Sequence, residues 1–393
     1  MRAGLKPAYL AGMAAFALTA LCSHLRATPY NNFVLLAQAF LHGRTWIDWP
    51  GDYIDALRYG AQGNYYVIEA PLPALLLLPF VAVFGAQTNQ TVLAAVLVGV
   101  AIAGTWQLGD RFGLRATSNA WICAFLLAGT DLLWCGVLGD VWFVAHVSVV
   151  CFTMLALVEL AGKRRGWLVA ILAGCAFESR FSMVAALPVY AYLLAAPSPC
   201  HPEPSAKRAV EGRIISFAAV LIGVGVLWVF YNQARWGTWT DVGYTTWYHQ
   251  DQVGLPTGSP FRLQYLAYQL WSFFVQAPTQ LASFPGLRPE YSGVALTWTS
   301  PALVLAFLAR SPVRWVVALW IAAILTAVPN FLYYVNGFAQ FGMRHALDFE
   351  PFLVALMMLA VRDRFARWGK ALIAYSIAVG LWGCWYWLTF VRV

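Results

Sequence analysis

The amino-acid sequence predicts an all-α polytopic membrane protein: a bundle of about eleven transmembrane helices with interfacial helices on its outer face. Three observations predict it. Of 393 residues, 61% are hydrophobic and 11% charged, more apolar surface than a water-soluble fold can hide. The apolar residues fall in long runs separated by basic clusters, as spans and cytoplasmic loops do. Nineteen Trp and 18 Tyr are present, many near the ends of those runs, where headgroup belts hold them. The net charge of +8 then belongs to topology and anionic headgroups, and nucleic-acid binding is excluded as its explanation.

Basic clusters order the elements, because Lys and Arg stay on the cytoplasmic side. Arg2 and Lys6 precede the first apolar run, residues 8–22. That run has the flanks of a signal peptide but no small-residue cleavage pattern, so it reads as an uncleaved first span. Residues 26–86 form a first outer loop. Thr28 at the N-cap and Pro29 at the first helical position open an amphipathic helix. Phe33, Leu36, Ala37, Phe40 and Leu41 line its apolar face, and Gly43 ends it. Asp48, Asp52, Asp55 and Glu69 follow, four of the 17 acidic residues, with an aromatic turn at Gly63-Asn64-Tyr65-Tyr66. Residues 71–85 are apolar, but as a helix they reach about 22 Å against the roughly 30 Å of a bilayer core. They are expected to lie half-buried without completing a crossing.

Residues 91–108 cross to Asp110, Arg111 and Arg115. Residues 117–137 return to a tight outer turn, Leu138-Gly139-Asp140, and 141–161 cross again to Lys163, Arg164 and Arg165. Two short passes follow, turning outside at Glu178-Ser179-Arg180; a single broken helix is the alternative. Residues 214–230 exit to a second outer loop, 232–292. Its amphipathic helix starts at Ser259-Pro260 and sets Leu263, Leu266, Ala267, Leu270, Trp271 and Phe274 on one face. Residues 293–308, 315–333, 346–361 and a last run ending near Phe390 complete one transmembrane domain, 1–393. No internal repeat is visible. The seven cysteines have neither metal-ligand spacing nor a disulfide framework. Six fall in apolar runs, where they act as small core residues, and Cys200 lies in a basic loop.

Charges at the outer boundary are costly unless they pair or work. Asp140 stands in a three-residue turn and can reach only the outer rim, and His146 follows within two turns. Such a pair moves a proton or holds a cation, or else caps a helix and fills a core. Asp52 follows Pro50-Gly51, a turn able to aim it as a general base, and Glu69 beside Pro71 is the second candidate. The plainer reading of the first-loop Asp residues is a solvated loop. Arg180 and Arg344 suit a phosphate leaving group, because a guanidinium grips phosphate oxygens in pairs. Alternatively Arg344 pairs with Asp348 at i, i+4 and Arg180 with Glu178. Tyr66 and the aromatic-polar stretch 236–248 suit the apolar face of a sugar, and equally an interfacial belt.

Five stretches carry a resemblance: NNFVLLAQAFLHGRTWIDWP (31–50), APLPALLLLPFVAVFG (70–85), GDVWFVAHV (139–147), YNQARWGTWTDVGY (231–244) and QFGMRHALDFEPFLVAL (340–356). In this order they resemble the GT-C superfamily of polyprenyl-phosphate-dependent glycosyltransferases. The protein O-mannosyltransferase and aminoarabinose transferase relatives, and bacterial family 39-like members, are nearest. The resemblance implies inverting transfer of a sugar from a lipid phosphate at the outer face of the plasma membrane; Arg2 and Lys6 separately put the N-terminus on the cytoplasmic side. It implies a first-loop carboxylate as base and a second outer acid that maps onto Asp140. The catalytic candidates are thus Asp52, Asp140 and Glu69, and the donor-binding ones Arg180, Arg344, His146, Asp348 and Tyr66. The implied partners are a polyprenyl-phosphate-linked sugar, a lipid, glycan or protein acceptor, and membrane lipids. No organic cofactor is implied, and a divalent cation is compatible but not indicated. Family members carry an acid just after the first span, where this chain has Pro29-Tyr30-Asn31-Asn32. Either a later acid such as Asp52 substitutes, or the chain is an inactive relative, or its subfamily works differently. A transporter or flippase of lipid-linked sugars competes, but it needs polar groups at the midplane, where few charges fall.

Overall fold

A computed structural model describes residues 5–48, 51, 56–197, 207–250 and 258–391. In chain order, α1 (Leu5–Ser23) leads to the short α2 (Asn32–Leu41), a hairpin of β1 (Ala56–Tyr59) and β2 (Asn64–Val67), and α3 (Leu72–Phe84). Then come α4 (Gln90–Phe112), α5 (Ala116–Ala128), α6 (Leu132–Leu138) and α7 (Val141–Ala161). The short α8 (Gly166–Phe177) and α9 (Leu187–Ala195) flank a 3₁₀ turn, Phe181–Ala186, before α10 (Lys207–Trp236) and α11 (Gly243–Gln250). After α12 (Leu266–Phe274) come β3 (Thr279–Gln280), β4 (Leu287–Arg288), α13 (Leu296–Thr299), α14 (Val313–Leu332), α15 (Glu350–Val361) and α16 (Arg367–Tyr386). The protein is therefore mostly helical, and its only sheets among the described residues are the two antiparallel hairpins.

Length corrects the span count. Among the described residues five stretches are long and apolar enough to cross a membrane: α4, α7, α10, α14 and Arg367–Val391. A sixth is added if α5 and α6, bent by 50° at Thr130 and Asp131, count as one. That is five or six, not about eleven. The expected span 293–308 is a four-residue helix and a 3₁₀ run, Pro301–Leu308, because Pro301 cannot supply the N–H that would continue α13. The expected span 346–361 keeps only the 12 residues of α15, about 18 Å. α8 and the 3₁₀–α9 pair are two short elements with a break at 178–180, as the alternation of charge suggests.

Two capping expectations also change. α2 starts at Asn32 with Asn31 at its N-cap, because the Thr28 hydroxyl is engaged elsewhere. Ser259-Pro260 does not start α12, whose N-cap is Tyr265 after a 3₁₀ turn, Leu263–Tyr265.

α7 is the axis of the bundle. Its apolar window is 83% buried, against 6% for α10, which lies outermost with Ile215, Ile222, Leu227 and Phe230 exposed. α1 crosses α4 where Gly12 meets Gly99: a Cβ on Gly12 would come 2.7 Å from the Gly99 carbonyl oxygen. Small residues permit that close approach, as helices in lipid require. α2 and α3 form a platform on the start of α7. Phe33, Leu36, Val67, Leu77 and Val81 pack with Val141 and Val144 in one apolar cluster, each large side chain contributing about 1.5–3 kcal/mol.

The two ends of the bundle differ in charge. At one end, Gly162 lies against Arg111, Gly166 against the Arg213 backbone, and Arg362 reaches Ser311. At the other, the platform is tied to the helix ends by backbone and amide bonds. Asn89 donates to the Leu25 carbonyl (2.7 Å), Val141 N–H to Tyr30 (3.1 Å) and Leu72 N–H to Glu178 (3.0 Å). Glu69, Asp140, Glu178, Asp241 and Asp348 all belong to this platform end.

Candidate functional site

Asp140 is placed by the glycine before it. Gly139 ends α6 in the left-handed conformation (φ 65°), and a Cβ there would lie 2.7 Å from the Thr91 Cα. Only glycine meets both conditions. Gly139→Ala is expected to destabilise the protein by about 2–4 kcal/mol, from left-handed strain plus a backbone clash, read as a lowered thermal midpoint in detergent. Asp140 follows in extended conformation and opens α7, but its side chain makes no cap bond. It accepts a hydrogen bond from the Thr28 hydroxyl instead, and that hydroxyl also accepts from the Tyr30 N–H (3.0 Å). Asp140 is 3% exposed. Burial pushes its carboxyl up to about 7, against the opposing pull of the Thr28 bond and of Arg344.

Arg344, in the 3₁₀ turn Arg344–Asp348, lies over the Phe143 ring at 5.0 Å. Its Nη1 donates to the Phe338 carbonyl (3.2 Å) and the Gln340 side chain (3.0 Å). Phe143 is one turn into α7, which brings the guanidinium near Asp140.

Beneath them sits a buried network centred on Asp348, which is 0% exposed. One carboxylate oxygen meets His146 Nδ1 at 3.0 Å and Arg180 Nε at 2.9 Å. The other accepts from Ser182 (2.7 Å), Asn330 (3.1 Å) and Arg180 Nε (3.0 Å). Burial alone would raise this carboxyl. Arg180 and His146 outweigh it and hold Asp348 well below the usual carboxylate range. An ionised Asp348 only accepts, so His146 carries its proton on Nδ1. Its Nε2 is buried without a partner among the described residues. Asn330 Oδ1 accepts from Arg180 Nη2 (3.3 Å) and from His345 Nδ1 (3.1 Å). Arg180 Nη1 makes no hydrogen bond to the described residues, and the side chain is 16% exposed.

The expected i, i+4 partnership is therefore replaced by a long-range one: Asp348 pairs with Arg180. His146, expected near Asp140, is bonded to Asp348. Glu69 is buried (7% exposed) beside Arg235, whose Nη1 reaches the carbonyls of Val67, Ile68 and Glu69 at 3.2–3.4 Å. Tyr66 is also buried, its ring 5.1 Å from Trp236. Asp52 lies outside the described residues, as do Asp55 and Cys200. Asp140, His146, Arg180, Arg344 and Asp348 thus share one end of the bundle, while Glu69 and Tyr66 belong to the platform hairpin and α10.

Sequence reasoning missed Ser182, Asn330, Arg235 and Asp131. Asp131 sits at the bend between α5 and α6 and accepts from the Gly342 N–H (3.1 Å). Both Asp131 and Asn330 were legible as polar residues inside apolar runs. Among the described residues no three His, Cys, Asp or Glu side chains converge as metal ligands do. No family model, curated protein or solved structure matches the chain.

Proposed function

We propose that the protein is an integral-membrane glycosyltransferase that moves a sugar from a polyprenyl-phosphate donor to an acceptor at the platform end. One observation carries the reading: side chains from five distant segments meet there, with acid and guanidinium groups side by side at the edge of an apolar bundle. Asp140 is a buried carboxyl whose proton affinity lies near neutrality, which suits a general base. It would take the acceptor hydroxyl proton as the oxygen bonds to the anomeric carbon and the bond from that carbon to the phosphate oxygen breaks. The phosphate leaves with the electron pair. Arg344 and the unengaged Nη1 of Arg180 would stabilise it, with Asp348 holding Arg180 in position. Asp52, the first-loop acid whose sequence setting also suggests a base, is the competing candidate, so both acids enter the experiment. Basic residues at the opposite end favour a cytoplasmic position for that end and an extracytoplasmic platform.

Charge gathered at one end also weighs against a transporter. His146, the charged network's deepest member on α7, is only about 8 Å below the start of that helix. The test is turnover of lipid-phosphate sugars by purified protein in nanodiscs. Arg344→Lys keeps the charge but loses the paired geometry, and should lower kcat/KM by about 10–100-fold. Donor movement across liposomes with no covalent product would overturn the reading.

A further inference from the structure

A second polar cluster lies beside the platform and takes no part in the chemistry above. Glu178 Oε1, Asn232 Nδ2 and Arg235 Nε are buried without a hydrogen-bond partner among the described residues, and the buried Tyr231 hydroxyl beside them is in reach of Arg235. They come from the end of α8 and the last two turns of α10. Arg235 Nη2 donates to Asn232 Oδ1 at 3.3 Å, and the guanidinium lies over Tyr231 at 4.7 Å and Trp236 at 4.3 Å. Glu178 and Arg235 are within electrostatic reach of each other, and Tyr231 is within reach of both. Asn232 is 0% exposed and Arg235 3%.

Each buried polar atom left without a partner costs about 1–3 kcal/mol. Native structures leave few, and a group of them marks a place where something else supplies partners. The chemistry of the group narrows what that is. Tyr231, Asn232 and Arg235 offer O–H and N–H donors, and Glu178 offers a carboxyl. Burial pushes that carboxyl up to about 7, against the pull of Arg235, so near neutrality it both donates and accepts. The Arg235 charge is already met by Asp241 at 2.9 Å, so an anion gains little here. Trp236 adjoins Tyr59 and Tyr66 at 5.2 and 5.1 Å, an aromatic wall next to the polar groups. Mixed donors and acceptors flanked by aromatic side chains match a molecule with hydroxyls on its edge and C–H groups between them.

We infer that Glu178, Tyr231, Asn232 and Arg235 form a subsite for a neutral pyranose ring, held by its hydroxyls. In the transferase this subsite would seat the transferred or the accepting sugar. Its role rests on that reading; its existence does not.

The test uses the full chain in nanodiscs and saturation-transfer NMR with glucose, mannose, galactose and N-acetylglucosamine. At least one should receive saturation from the wild type. Tyr231→Phe and Glu178→Gln should each weaken its apparent affinity by about five- to tenfold, the equivalent of one hydrogen bond. Thermal midpoints should stay nearly level in both variants, so that lost binding is not lost folding. Failure of all four sugars to bind the wild type, or equal binding by both variants, overturns the subsite. Sugar binding that the variants lose, in a protein that turns over no lipid donor, sinks the transferase reading and leaves the subsite standing. Donor turnover at wild-type kcat and KM in variants that have lost sugar binding overturns the subsite's role in the transfer and leaves the transferase reading standing.

Discussion

Asp348→Ala should destabilise the protein by about 3–5 kcal/mol, the cost of leaving a buried charge without its partner. Thermal unfolding in detergent reads it. The variant strands the Arg180 guanidinium, which has two contacts to that carboxylate, 2.9 and 3.0 Å. It also removes the acceptor for His146, Ser182 and one Asn330 bond. Asp348→Asn is milder in shape but no better in charge. The informative companion is the double variant Arg180→Met with Asp348→Leu. Replacing a buried ion pair by apolar groups of similar volume is often neutral or stabilising, so the double variant should recover the part of the loss that comes from the stranded guanidinium, while His146, Ser182 and Asn330 remain short of one acceptor. A double variant that folds yet turns over no donor assigns Arg180 to the leaving phosphate. One that folds and works at full rate limits the network to architecture.

That network also marks the limit of what the chain discloses. The α7 axis and its glycine-aspartate start were legible, because two apolar runs close on three residues and leave Asp140 nowhere else to go. The short α3 was legible from length alone. The hairpin before it was not, since Asn64-Tyr65-Tyr66-Val67 offers a strand only once Leu57 and Tyr66 are opposite each other. Hydropathy also overcounted spans, because it does not register the bend at Asp131 or the 3₁₀ run after Pro301. Partner choice in the site was hidden for a further reason. Helical periodicity tells which side chains share a face, not which helix that face meets. The i, i+4 rule joins Arg344 to Asp348, whereas folding joins Asp348 to Arg180 and His146, 168 and 202 residues away. Asp140 was found as an acid at the rim, but its bond to Thr28 needed the platform laid over α7.

Asp140→Asn should cut donor turnover by about 10²–10⁴-fold, the usual span of a general base, while the protein still folds. The pH dependence makes the assignment sharper. In the folded protein this carboxyl is raised from 3.8 to about 7, first by burial. Between pH 4 and 7 the folded state therefore holds a proton that the unfolded state has lost. Stability from this group is fully present below the unfolded value. It falls as pH rises through the folded one, by on the order of 4 kcal/mol in all. Turnover runs the opposite way, because a base acts only when ionised, so kcat/KM should climb along an acidic limb centred near pH 7. Asn cannot ionise: the variant should lose both the fall in stability and the limb. Thr28→Val offers a second reading of the same group. Without the hydroxyl that favours the charged form, the limb should move to higher pH rather than disappear. A limb centred near pH 4, or full turnover by Asp140→Asn, would show that the proton goes elsewhere, and Asp52→Asn in the same assay would then decide whether it goes to the first loop.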